Sequence, residues 1–171
     1  KSTKECIQTL LQTVGGDGNL LFNVGPMPDG RIEPRQVERL QAMGAWLDRY
    51  GDGIYATRGG PFKPGKWGAS TCEGNTIWLY VMNWHTEDKL VLPPIDKKIL
   101  ASQTLSDGTA RVTQHGYGVE IEMPRSQQNE IATVIALELD GPAFEIEPLD
   151  VPDEPAYLHA RPSLIDQWRD L

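Results

Sequence analysis

The chain has little cysteine, few cations and no long apolar run, and each shortage excludes a class of protein. Two cysteines in 171 residues are too few for a disulfide framework. No stretch approaches the ~20 apolar residues that span a bilayer, so we expect no membrane segment. Lys and Arg number 16 against 24 Asp and Glu, a net charge of −8, which argues against a nucleic-acid partner.

Histidine is also scarce, and the three residues, His85, His115 and His159, show no metal-ligand spacing. We therefore assign no metal and no cofactor. Cys6 lies beside apolar positions of a predicted helix and has no histidine near it in sequence, so we interpret it as a buried, inert thiol.

The most informative stretch is the apolar run Leu20–Val24, bounded by glycines and followed by a Gly/Pro-rich turn. This pattern predicts a strand buried on both faces, as in a parallel sheet. Strand periodicity places Asn23 on the same face as Leu21 and turns Phe22 the other way. A buried amide needs hydrogen-bond partners, so Asn23 either binds neighbouring backbone, the interpretation we favour, or faces a polar pocket.

Helices are predicted on both sides of this strand. Ser2 and Glu5 have the spacing of a capping box, and the helix that follows stops at the glycine pair 15–16. Pro34 fits the first position of a second helix, which Gly51 ends. The apolar stripe of the second helix comprises Val37, Leu40, Gly44 and Leu47, widened by Met43, Trp46 and Tyr50.

A single parallel strand cannot form a sheet, because its backbone groups need neighbouring strands. Residues 1–55 contain only this one candidate. We therefore expect the chain to begin within a domain and to be a fragment of a longer protein.

Residues 59–70 are dense in Gly and Pro and predict a linker without regular strand. Within and beside it, Arg58, Phe62 and Trp67 are interpreted as packing residues. The segments that follow alternate β-formers with turns, which predicts an antiparallel β-sandwich over residues 71–147. Its predicted strands are 76–82, 89–92, 99–101, 111–114, 118–123, 131–139 and 143–146.

Two groups in the sandwich have a possible binding or catalytic interpretation. Trp78, Tyr80 and Trp84 share one strand face at even spacing, and we expect core packing rather than a sugar platform. Glu120 and Glu122 alternate with apolar residues, which favours a solvated face over an acid/base pair. The tail 148–171 ends with Leu164, Ile165 and Trp168 at helical spacing, which predicts a short helix or a partly disordered end.

An ordered string of motifs carries a family resemblance. Residues 18–26 read GNLLFNVGP, Asp29-Gly30-x-Ile32 follows, and further matches run through residues 36–40, 44–47, 51 and 54–58. This string resembles the end of the catalytic domain of family-29 α-L-fucosidases. The resemblance is close over about the first third of the chain and covers the rest in general layout.

The resemblance implies residues 1–58 as the last βα unit of a (β/α)8-like barrel, followed by the β-sandwich, an α/β plus all-β architecture. It also implies retaining hydrolysis of fucosylated oligosaccharides or glycoconjugates in an extracytoplasmic compartment. The nucleophile Asp and the acid/base Glu are expected upstream, with the rest of the barrel, so no catalytic residue is assigned in this chain.

The loop after the last strand opens at the catalytic face of such a barrel. We therefore predict Asn23, Phe22 and Met27 as substrate-binding residues, and Asp29 as a turn residue rather than a catalyst. The alternative function is a non-catalytic β-sandwich accessory or carbohydrate-binding module.

Overall fold

The first helix, α1 (Thr3–Gly15), begins with the predicted capping box. Ser2 Oγ accepts the N–H of Glu5 at 3.1 Å, and the Glu5 carboxylate accepts the N–H of Ser2 at 2.6 Å. These bonds satisfy two of the donors that a helix start leaves unpaired. Cys6, Ile7 and Leu11 form its buried face, which confirms the buried thiol.

The second helix, α2 (Pro34–Tyr50), begins at the predicted proline and is capped by Gly51. Its buried face is centred on Met43, Trp46 and Tyr50, whereas Leu40 is 40% exposed. The apolar stripe is therefore rotated from the predicted one, because the large aromatic side chains take the inward positions.

The computed structural model describes residues 1–154, so the prediction for the tail beyond them lies outside the described residues. The strands form a five-stranded sheet in the order β1-β2-β3-β8-β5 and a three-stranded sheet in the order β4-β7-β6. All of their pairings are antiparallel. The strands are β1 (Arg58–Gly59), β2 (Gly68–Glu73), β3 (Thr76–Val81), β4 (Lys89–Leu92), β5 (Ile99–Thr104), β6 (Arg111–His115), β7 (Gly118–Glu122) and β8 (Thr133–Leu139).

The molecule has three layers, with both helices packed on the outer face of the five-stranded sheet. Tyr80, Val134 and Ala69 of that face join the helices in one buried cluster, and the two sheets enclose the other. A Cβ added at Gly15 would lie 2.7 Å from Ala69 Cβ, so the helix approaches β2 very closely. The predicted antiparallel sandwich is confirmed, and the helices are part of its packing.

The boundary between helix and sheet is tied by one buried carbonyl. Gly53 O accepts hydrogen bonds from Tyr80 Oη at 2.6 Å and from Thr71 Oγ1 at 2.5 Å. Burial raises the pKa of Tyr80 well above its ordinary value, so this hydroxyl remains a donor.

Three local predictions are wrong. The predicted linker contains the start of β2, and β1 adds Gly59 at its other end. Residues 143–146 form a 3₁₀ turn at Ala143–Glu145, not a strand. Trp84 does not share the face of Tyr80, because β3 ends at Val81 and Trp84 packs on the cluster between the sheets.

The chain around Leu149 packs along residues 59–70, the stretch that the sequence predicts as a linker. Leu149 pairs with Phe62 in a parallel bridge, and its carbonyl accepts the N–H of Lys63 at 2.9 Å. His85 lies beneath this segment: its Nδ1 accepts the Val91 N–H at 3.1 Å, and its Nε2 lies 3.1 Å from the carbonyl of Pro152. Phe62 and Trp67 are almost fully buried, which confirms them as packing residues.

Candidate functional site

The stretch Leu20–Val24 is extended, and its residues alternate in exposure. Leu20, Phe22 and Val24 are half-buried, whereas Leu21 is 84% exposed and Asn23 is exposed. The period of two predicted from the sequence is therefore present. Burial on both faces is not, since no strand pairs with this stretch among residues 1–154.

Phe22 lies on the face that packs against the cluster of α1 and α2. Leu21 and Asn23 face the opposite direction, where the described chain provides no covering layer. Asn23 forms no hydrogen bond with any described residue, so the favoured interpretation, that its amide binds neighbouring backbone, is wrong. Its amide is free to bind a group outside the described chain.

The loop that follows is a short, internally bonded turn. Pro26 and Ile32 form an isolated antiparallel bridge, and the Met27 N–H donates to Arg31 O at 2.7 Å. Gly30 closes the turn at φ +82°, a conformation that glycine adopts without strain. The loop therefore holds half-buried Met27 at a defined position beyond the strand.

Asp29 acts as the turn residue that the sequence predicts. Its Oδ1 accepts the Arg31 N–H at 3.1 Å and its Oδ2 accepts Arg31 Nε at 2.8 Å. These hydrogen bonds lower the pKa of Asp29, and the Arg35 guanidinium at 2.7 Å lowers that of Glu33 in the same way. Both carboxylates are ionised at neutral pH, and neither is suited to be a proton donor.

A cleft of about 590 Å³ lies between this strand, the start of α1 and the first turns of α2. Gln36 fixes one wall, because its Oε1 accepts the N–H of Gly25 at 3.0 Å. The lining mixes apolar and polar groups and is locally basic in an acidic chain. It comprises Lys1, Cys6, Phe22, Asn23, Val24, Gly25, Glu33, Arg35, Gln36 and Arg39.

The cleft brings together only some of the predicted site residues. Phe22 and Asn23 both border it from opposite faces of one strand, whereas Met27 lies in the neighbouring loop and outside the lining. Sequence reasoning missed Gln36 and the arginines of α2. These residues lie in the first turns of the helix that directly follows the loop. That position in the sequence could have indicated that they border the same cleft as the loop.

The other predicted groups are structural. Glu120 and Glu122 face away from the core, as predicted, and Lys89 Nζ bridges them at 3.1 Å and 3.3 Å. Glu122 also pairs with Arg111, whose hydrogen bond lowers the pKa of that carboxyl.

No group of three metal-ligating side chains occurs among residues 1–154. None of the helices described is long and apolar enough to cross a bilayer.

A family model, curated proteins and solved structures were compared with this chain, and all three comparisons find α-L-fucosidases. Residues 1–52 match the family model "Alpha-L-fucosidase". An α-L-fucosidase of Branchiostoma floridae is 32% identical over 137 residues, which is 74% of this chain and 30% of that protein. The chain thus spans less than a third of the length of this curated relative.

Solved structures agree. The α-L-fucosidase isoenzyme 1 of Paenibacillus thiaminolyticus superposes with a TM-score of 0.71 at 25% identity, covering 82% of this chain and 35% of that one. A GH29 α-L-fucosidase of Bacteroides thetaiotaomicron gives 0.70 at 26% identity, covering 82% and 33%.

These similarities in sequence and fold relate this chain to the glycoside hydrolases. Within that class it is homologous to the C-terminal part of the family-29 α-L-fucosidases, as the motifs around residues 18–30 predict.

Proposed function

We propose that the chain is part of a retaining α-L-fucosidase that removes terminal α-L-fucose from oligosaccharides or glycoconjugates. The observation that carries this proposal is the family match over residues 1–52, because that segment contains the extended strand, the loop and the cleft. The Bacteroides thetaiotaomicron structure is that of a covalent intermediate trapped with 2-fluoro-fucosyl fluoride. A covalent intermediate is the mark of retention by double displacement.

In this mechanism an Asp carboxylate attacks the anomeric carbon while a Glu protonates the departing glycosidic oxygen. Water, activated by the same Glu, then hydrolyses the glycosyl-enzyme. Both carboxylates are supplied by sequence outside residues 1–171. Asp29 and Glu33 are held ionised by arginines, which argues against either as the acid.

The role of this chain is to complete the barrel and one wall of the sugar pocket. The unpaired stretch Leu20–Val24 joins strands supplied by the rest of the catalytic barrel. Asn23 then faces the interior at the end of its strand, where its amide binds a sugar hydroxyl, and Met27 packs beside it from the loop. Phe22 contributes from behind by fixing the strand against α1 and α2.

The test compares residues 1–171 with the intact polypeptide that carries them, using 4-nitrophenyl α-L-fucoside. We expect turnover only from the intact protein, with α-fucose as the first anomer seen by NMR. Turnover by residues 1–171 alone, or β-fucose as the first product, contradicts the proposal. No turnover by the intact protein favours the non-catalytic module.

A matched pair of variants tests the proposed role of Asn23 in the sugar pocket. Asn23→Ala in the intact enzyme should lower kcat/KM about tenfold, as expected for loss of one hydrogen bond worth ~1.4 kcal/mol. The thermal midpoint of the unliganded enzyme should change little, because the amide forms no hydrogen bond within residues 1–154 and its proposed partner is the substrate. Asn19→Ala removes the same amide from the same face at the other end of the strand and should leave kcat/KM unchanged.

A further inference from the structure

One edge strand of the five-stranded sheet lacks the protection that the other edge strands have. Natural sheets guard an exposed edge with charges or proline, because unpaired backbone groups otherwise attract another strand. Edge strands β1, β4 and β6 contain Arg58, Lys89 and Arg111, and each cation is paired with a carboxylate. Strand β5 reads ILASQT and has neither a charge nor a proline.

This strand is also the most exposed of the sheet. Four of its residues, from 100 to 103, are exposed, and Leu100 is 57% accessible. The inner strands β2, β3 and β8 are mostly buried. An uncharged strand with an exposed leucine is therefore presented at the surface of an otherwise acidic chain.

The pairing of β5 with β8 shows which backbone groups are available. Leu105 donates its N–H to Val134 O at 2.8 Å, so by alternation Gln103 is turned toward β8. Ser102 and Thr104 are turned away, and no strand within the described chain pairs with them. At the start of the strand, Gln114 Oε1 occupies the outward N–H of Ile99 at 2.9 Å.

We propose that β5 is a self-association edge, at which two copies of the chain pair antiparallel and join their sheets. The outward groups define the register: Ser102 of one copy exchanges hydrogen bonds with Thr104 of the other. The two-fold axis then passes beside Gln103, whose amide faces its own counterpart. Such an isologous contact closes after two copies.

The charges around the strand favour this partner and this direction. Lys97 and Lys98 precede β5, and Asp107 follows it. Lys97 is paired with Glu145 at 2.7 Å and Asp107 with Arg49 at 2.8 Å, whereas Lys98 has no ion pair among the described residues and the Asp107 side chain is still 83% exposed. Antiparallel pairing brings the lysines of one copy to the end where the other copy carries Asp107. Parallel pairing would place lysine beside lysine. The exposed charges at the two ends of β5, Lys98 and Asp107, thus favour antiparallel over parallel pairing of two copies. This proposal is independent of the fucosidase proposal.

Sedimentation velocity over a wide concentration range tests the proposal, on residues 1–171 and on the intact polypeptide. We expect a reversible dimer for both. Gln103→Lys places two cations on the axis and should raise the dimer Kd at least about tenfold. Ser126→Lys adds the same charge at an exposed position distant from β5 in sequence and should leave Kd unchanged.

Two further variants separate the interface from folding. Ser102→Pro removes an outward N–H without removing a bond to β8, so the dimer should weaken while circular dichroism and the thermal midpoint are maintained. Lys98→Glu should weaken the dimer, and adding Asp107→Lys should restore it. A monomer at every concentration, a dimer unaffected by Gln103→Lys and Ser102→Pro, or failure of the charge swap to restore association would each overturn the proposal.

Discussion

Arg58 grips the carboxylate of Asp17 with two parallel hydrogen bonds, Nε to Oδ1 at 2.8 Å and a terminal nitrogen to Oδ2 at 2.6 Å. The N–H of Gly59 adds a third bond to Oδ1 at 2.9 Å. Asp17 lies just beyond α1 at φ 62°, and Arg58 lies in the first strand of the sandwich. The pair therefore fixes the turn that leads into the extended stretch, and the guanidinium lowers the pKa of Asp17.

Arg58→Lys should lower the thermal midpoint, because an ammonium cannot form the fork and cannot stack on Phe144, whose ring centre lies 4.9 Å from the guanidinium. Both partners are largely exposed, so the decrease should be modest. Differential scanning calorimetry measures it. Arg125→Lys is the control, since Arg125 meets Glu87 only at 3.7 Å. An equal decrease in both variants would argue against a role for the paired hydrogen bonds between Arg58 and Asp17.

Tyr80 and Thr71 both donate to the carbonyl of Gly53, so their contributions to the free energy of unfolding should be coupled. Tyr80→Phe and Thr71→Val each remove one of its two short hydrogen bonds and should each cost about 1 kcal/mol of unfolding free energy. The double variant leaves this carbonyl only the long hydrogen bond from Thr57 Oγ1 at 3.3 Å, a hydroxyl that also donates to Ile54 O at 2.9 Å, so it should cost more than the sum of the two. Urea unfolding of the four proteins in the cycle measures this, and strict additivity would contradict it.

Gly68→Ala should be severely destabilising, by about 3 kcal/mol or more. Gly68 has φ +146°, and a Cβ there would lie 1.9 Å from the carbonyl oxygen of Tyr80 in the paired strand. Gly116→Ala is the matched control, because a Cβ at that position meets no atom within 4 Å. Soluble yield and chemical denaturation report the difference, and equal stability of the two variants would refute the prediction.

His85 should make stability depend on pH. Burial lowers its pKa below the ordinary 6.5, and its Nδ1 accepts a backbone hydrogen bond that protonation would abolish. The negative charges of Asp153 and Glu154 act in the opposite direction and raise the pKa of His85. Asp153 is itself paired with Lys66. Because the unfolded chain binds this proton more readily, stability is complete above pH 6.5 and falls as the pH decreases through 6.5 toward the folded pKa.

Urea unfolding at pH 7.5 and 5.5 checks this expectation for the native protein and for His85→Asn, whose amide oxygen replaces the acceptor at any pH. The loss of stability between the two pH values should be smaller in the variant. An identical loss in both would show that other groups cause it.

The sequence was most informative where structure is decided locally. The capping box at Ser2, the first helical position at Pro34 and the C-cap at Gly51 depend on a few adjacent residues, and all three predictions are confirmed. Strand β2 was missed because it begins with Gly68 and Ala69, residues that are depleted in strands, at the end of a Gly/Pro-rich stretch. Small side chains are needed there for the approach of Gly15, a tertiary requirement that no local pattern reveals.

The candidate site was predictable in position but not in detail. Alternation predicted that Phe22 and Asn23 face opposite ways, and the structure confirms this. The hydrogen bond from Gly25 to Gln36 joins residues 11 apart across a loop, which no periodic pattern predicts. No partner for Asn23 could be derived, because its amide forms no hydrogen bond among residues 1–154.

The contact of α1 with β2 also has a consequence for cooperativity. Gly15 and Ala69 meet where α1 approaches β2 very closely, and Trp46 and Tyr80 continue the same interface. A protein cut at the end of the Gly/Pro-rich segment would expose this whole surface on both pieces. Helices and sandwich should therefore melt in a single transition, although they carry the sequence signatures of two separate units.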